Sequence, residues 1–152
     1  MYQEFLRIAE KLNKIGITPL LFGSLGLEQR LDIPLNPNDI DILIFDLEKN
    51  WPDVVRLMKE EGYELYDLHE HAFRKDFSVA FASLESLEEF AGVNIRKIPI
   101  FTEGSIKHYL LDAENYLKVY KASLKDSYRQ NKKNKKDSEK IKLIEEYLEK
   151  NK

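Results

Sequence analysis

The chain has no cysteine, one tryptophan and three histidines among 152 residues. The missing thiols exclude disulfides and thiolate metal sites, and they fit a reducing cytoplasm. With so few histidines, a bound metal must rely on oxygen ligands, which favours Mg²⁺ or Mn²⁺ over zinc. No apolar run approaches the roughly 20 residues that cross a bilayer. The opening MYQEFLRIAEKLNK is amphipathic and mixed in charge, with no apolar signal core. The expectation is a cytoplasmic protein with no membrane segment.

Hydrophobic residues make up 43% and charged residues 34%, a globular composition long enough for one domain with a proper core. The net charge of −3 is unevenly spread. Residues 113–152 hold 12 basic and 7 acidic side chains (+5), and residues 1–112 hold 12 and 20 (−8). An acidic body with a basic C-terminal part can bracket a metal-bound polyanion. A helical hairpin with a Lys-rich surface explains the same asymmetry.

Periodicity gives the element order. Phe5, Ile8, Ala9 and Leu12 recur at helical spacing over residues 4–14, and Gly16 stops that helix. Residues 18–22 form a short apolar run bounded by Gly16 and Gly23, the profile of a buried strand. A short helix is expected over 24–31, then a loop in DIPLNPND. Residues 39–45 alternate, with Ile40, Ile42 and Ile44 on one side and Asp39, Asp41 and Leu43 on the other. A helix is expected over 51–61, strands over 63–68, 72–83 and 93–100, and a short helix over 83–90. A hairpin turn is expected at Glu103-Gly104. Asp112 and Asp137 are read as N-caps of two final helices, the second turning Ile141, Ile144 and Leu148 inward. The order predicts an α+β protein, a mixed sheet flanked by helices. Residues 1–111 would form the core, and 112–152 a helical extension packed on it.

Two features carry chemistry. Asp39 and Asp41, two apart on a strand, point the same way with backbones roughly 6.5–7 Å apart. Like charges on a half-buried face repel and are costly to desolvate, and a divalent cation between them reverses that energy. Exposed aspartates at a strand entry are the plain alternative. Gly23-Ser24, between a buried strand and a helix start, lets the backbone approach a phosphate, with free amides and a favourable dipole beyond it. Ser24 as a simple helix cap is the alternative there.

GSLG followed by DID resembles the nucleotidyltransferase fold shared with DNA polymerase beta. The nearest subset is the small bacterial one of aminoglycoside, lincosamide and minimal nucleotidyltransferases. The resemblance is clearest over residues 17–46. It implies that Gly23 and Ser24 hold nucleotide phosphates and that Asp39 and Asp41 are the catalytic metal ligands. It also implies transfer of a nucleoside monophosphate from an NTP to a hydroxyl acceptor, with loss of pyrophosphate. A third carboxylate is implied on a later strand.

That strand should be FSVAFASL, where Phe77, Val79 and Phe81 share one face and Ser78, Ala80 and Ala82 the other. The slot for an acid holds serine or alanine. Asp76 before the strand and Glu85 after it are the candidates to reach in. Arg74, Lys75 and His71 are candidate substrate contacts, and His69 shares a strand side with His71. Arg129, Lys132, Lys133, Lys135 and Lys136 could hold a triphosphate tail or RNA, although no aromatic residues interleave them for stacking. The missing acid supports a second expectation: a non-catalytic nucleotide-binding or protein-interaction module, antitoxin-like, on the same fold.

Overall fold

The computed structural model describes residues 1–126 and 131–152, the side chains of 131–134 excepted. In chain order the elements are α1 (Tyr2–Lys14), β1 (Leu20–Phe22), α2 (Gly23–Leu31), β2 (Asp39–Ile44), α3 (Leu47–Glu60), β3 (Glu64–Asp67) and β4 (Ala72–Arg74). They continue with β5 (Ser78–Ser83), α4 (Ser86–Ala91), β6 (Ile100–Glu103), β7 (Ile106–Leu110), α5 (Ala113–Asp126) and α6 (Asn131–Lys150). The fold is α+β, as the element order predicts.

The strands form one mixed sheet in the order β3-β4-β5-β2-β1-β7-β6. The central strand β2 runs antiparallel to β1 and parallel to β5. Strict alternation in β2 sends Ile40, Ile42 and Ile44 to a face covered by α1 and α3, where Phe5, Ile8, Val54 and Phe81 complete one core. Leu43 points the opposite way into a second core with Leu20, Leu27, Leu87, Tyr116, Val119 and Ile144. Asp39 and Asp41 share the Leu43 face, so both belong to the side built by α2, α4, α5 and α6.

Several expectations are corrected. Residues 72–83 are not one strand but a hairpin, because the polar residues Lys75 and Asp76 turn the chain between β4 and β5. Residues 93–99 are not strand, and pairing begins only at Ile100, after Pro99. Helix α3 starts at Leu47 rather than Trp51 and carries Pro52 within it. A proline reads as a start signal, but here it sits in the second turn, at the cost of one helical N–H bond. Asp112 does cap α5, its Oδ1 accepting from the Asn115 amide at 2.9 Å. Asp137 does not cap α6, because that helix begins six residues earlier and Asp137 lies inside it, buried.

Candidate functional site

Antiparallel pairing sets Phe22 opposite Asp41, so the turn from β1 into α2 lands beside the two aspartates. Gly23 holds φ +64, a region most side chains avoid. A Cβ there would collide with the Asp41 carboxylate and lie 3.2 Å from its Cγ. Glycine is therefore needed twice over, for its backbone angle and for its missing side chain. The second glycine of GSLG has a different task. A Cβ on Gly26 would strike the Tyr116 hydroxyl and come within 2.5 Å of the Leu21 carbonyl. Tyr116 uses that space to donate to the Gly23 carbonyl at 3.2 Å, pinning the turn from α5.

Asp39 is exposed and Asp41 partly buried. Burial, then the neighbouring Asp39 charge, pushes the Asp41 carboxyl up to about 6, against the pull of Lys140. Lys140, from α6, donates to Ser24 Oγ at 2.7 Å. Burial lowers its pKa with help from Lys136, while Asp137, Asp41 and Asp39 work to keep it charged. Its ammonium also stands 5.3 Å from the Tyr120 ring centre. Burial raises the Tyr120 hydroxyl, as do the charges of Asp137 and Asp41. Nearly one turn further along α5, Ser123 donates to Asp137 Oδ2 at 2.9 Å.

Parallel pairing of β2 with β5 sets Ser78 beside Asp39, Ala80 beside Asp41 and Ala82 beside Leu43. A methyl group therefore occupies the strand position next to Asp41. The two candidate third acids are not brought to it. Glu85 lies beyond the opposite end of β5, where it accepts from the Asp46 amide and the Ser83 hydroxyl, each at 3.0 Å. Asp76 is at the Asp39 end but in the exposed β4–β5 turn, its charge acting on Tyr63 of the opposite face.

Arg74 pairs with Ser78 across the hairpin and so shares the Asp39 row, its guanidinium 4.1 Å over the Tyr66 ring. Lys75 turns away, donating to the Glu61 carbonyl at 3.3 Å. His71 packs edge-on against Trp51 with centroids 4.6 Å apart, in the β3–β4 turn rather than on a strand. Arg129 lies outside the described residues, as do the side chains of Lys132 and Lys133. Lys135 and Lys136 are exposed on α6.

A cleft of about 860 Å³ opens from Gly23 and Asp41 across the methyl floor of Ala80 and Ala82. Phe90 of α4, Tyr120 of α5 and Asp137 of α6 wall it in, and the turn at His69 and His71 closes its far side. Among the described residues, no group of three or more His, Asp or Glu side chains is arranged to hold a metal. Two carboxylates do fit Mg²⁺, which is commonly held by one or two acids with substrate phosphates completing the shell. The raised Asp41 carboxyl is the tension such a cation would relieve.

Sequence reasoning did not reach Lys140 or Ser123, and it read Asp137 only as a helix cap. One signal exists for Lys140 and Asp137. The inward stripe of α6 runs through Ile141, Ile144 and Leu148, and one helical turn back from Ile144 and Ile141 lie Lys140 and Asp137.

No family model matches the chain. A crystal structure of an antigenic nucleotidyltransferase-like protein from Paracoccidioides brasiliensis superposes with a TM-score of 0.61 over 91% of this chain and 72% of that one. At 19% identity the likeness carries the fold alone. Among the described residues, no helix is long and apolar enough to cross a membrane. The uncharacterized protein YnaI of Bacillus subtilis (strain 168) is 42% identical over 152 residues, 97% of each chain. The chain thus belongs to the family of YnaI, built on a nucleotidyltransferase-like fold.

Proposed function

We propose that the chain is a Mg²⁺- or Mn²⁺-dependent nucleotidyltransferase of the cytoplasm, moving a nucleoside monophosphate from an NTP to a hydroxyl acceptor. One observation carries the reading: Gly23-Ser24, Asp39, Asp41 and Lys140 converge at one end of the sheet, at the mouth of the cleft. The N-terminus of α2 offers unpaired amides and the positive end of its dipole to a polyphosphate. Lys140 adds an ammonium at the same spot, and a bound triphosphate would take that ammonium from the Ser24 hydroxyl. Asp39 and Asp41 would hold the metal. When bound, it neutralises charge developing on the transferred phosphoryl group and on pyrophosphate. The cleft beyond Ala80 has room for the acceptor.

A second reading, a non-catalytic nucleotide-binding or protein-interaction module, is favoured by a specific residue: Ala80 stands where an acid beside Asp41 would complete the metal site. Titration calorimetry with each Mg-NTP tests what both nucleotide readings share. Binding should be lost in Asp39→Ala/Asp41→Ala, and unchanged affinity in that variant would sink the proposed metal site. Pyrophosphate release across a panel of hydroxyl acceptors then separates enzyme from binding module.

A further inference from the structure

The cleft is lined by three carboxylates, Asp41, Glu70 and Asp137. Asp41 belongs to the phosphate end. Glu70 sits exposed in the β3–β4 turn, its amide bonded to Asp67. Asp137 differs from both, being only 6% exposed and placed well inside a long helix. An acid on the inward stripe of a helix is expensive to desolvate, and a leucine there would extend the core. Its position therefore calls for a reason other than packing.

Its surroundings supply one. Ser123 fixes one carboxylate oxygen at 2.9 Å. Lys140 lies one turn further along α6, at i+3, where Cβ atoms stand about 5–6 Å apart. Lys140 reaches Ser24, so Asp137 sits one helical turn along α6 from the residue that touches the Gly23-Ser24 turn, and it lines the cleft. Tyr120 lines the same cleft as Asp137 and Asp41, and the charges of both acids act on its hydroxyl. The cleft that Asp137 lines has the small side chains of Ala80 and Ala82 on its sheet side, leaving space for a substrate group between sheet and helix.

We propose that Asp137 is the general base that β5 lacks, supplied from α6 to the acceptor hydroxyl. The inference rests on the nucleotidyltransferase reading above. The hydroxyl proton passes to the Asp137 carboxylate as the acceptor oxygen forms its bond to the α-phosphorus. The bond from that phosphorus to the bridging oxygen breaks, and pyrophosphate leaves with the electron pair toward Lys140 and the amides of α2. Asp137 then returns its proton to solvent. Ser123 is a positioning residue in this scheme, aiming the carboxylate.

The test uses the full chain with Mg²⁺, α-labelled NTPs, and water, glycerol and a panel of hydroxylated small molecules as acceptors. Asp137→Asn should slow pyrophosphate release roughly 100–1000-fold, with NTP affinity held within about threefold. Added formate should restore turnover in Asp137→Ala in proportion to its concentration, which a structural role would not allow. Ser123→Ala keeps the acid and should lower the rate about tenfold, so the idea stays testable if the Asp137 variants do not fold. An unchanged rate in Asp137→Asn overturns the assignment. So does a loss of NTP affinity that accounts for the whole loss of rate, since Asp137 would then only be positioning Lys140. Wild-type protein that binds NTP and releases no pyrophosphate with any acceptor also removes the base and leaves the non-catalytic reading standing. Wild-type protein that binds no NTP refutes the nucleotidyltransferase reading itself.

Discussion

The parallel pair β2–β5 carries acids at both of its ends, and they are in opposite states. At the Glu85 end, burial works to raise the carboxyl, but bonds from the Asp46 and Glu85 amides and the Ser83 hydroxyl outweigh it and hold its pKa low. That acid ties the exits of the two strands together. At the other end Asp41 is desolvated beside Asp39, and its carboxyl is pushed up to about 6. One acid is satisfied by the fold and the other is held against its preference. The difference separates a carboxylate that the fold satisfies from one that it desolvates, and residue type alone does not make that distinction.

Breaking the strained end outright should have the largest effect. Gly23→Ala forces a left-handed angle on alanine and drives its Cβ into Asp41. We expect a loss of about 3 kcal/mol in denaturant unfolding. Asp41→Gly in the same chain should recover part of it by removing the collision but not the backbone strain.

Relieving the strain should act in the opposite direction. Asp41→Asn should stabilise the protein by on the order of 2 kcal/mol at about pH 7.5. That figure takes roughly 1.4 kcal/mol for each pH unit by which the carboxyl is raised, discounted for residual solvation. The sign follows from the raised pKa. Asp41 contributes stability that is fully present below the ordinary aspartate value and is lost as pH rises through about 6. The advantage of Asp41→Asn should therefore vanish near pH ~4, and a gain independent of pH would contradict the described burial.

At the satisfied end the pH dependence reverses. Glu85→Gln should cost about 1 kcal/mol, kept small by partial exposure. With its native pKa lowered, the contribution of Glu85 is present above the ordinary glutamate value and lost as pH falls through the native one. The smallest effect sharpens the contrast. Mg²⁺ alone should raise the melting temperature by a few degrees in wild type and leave Asp41→Asn unmoved. Equal shifts in both proteins would mean that the cation binds elsewhere.

What the sequence revealed divides along the distance over which each feature is decided. The alternation of residues 39–44 fixes which side chains face each core, and the helical spacing of Phe5, Ile8 and Leu12 places α1, because both patterns are set by neighbours along the chain. The serine-alanine face of β5 was legible for the same reason, and its register beside Asp39 and Asp41 follows from parallel pairing. The split of residues 72–83 into two strands was hidden by apolar and aromatic residues on both sides of a short polar turn. Lys140 and Asp137 were hidden by separation: the bond from Lys140 to Ser24 spans 116 residues, and no local pattern encodes it. Charged residues on a lysine-rich helix read as solvated surface until the helix is docked.

The docking of α6 also sets when the site comes into being. Ser24, Asp39 and Asp41 leave the ribosome before the helix that brings Lys140. Until α6 is made, the nascent chain holds the Gly23-Ser24 turn and the acid pair without the lysine that reaches Ser24. The bond from Lys140 to Ser24 forms only once α6 is docked, so the candidate site is completed by an element made after its other parts.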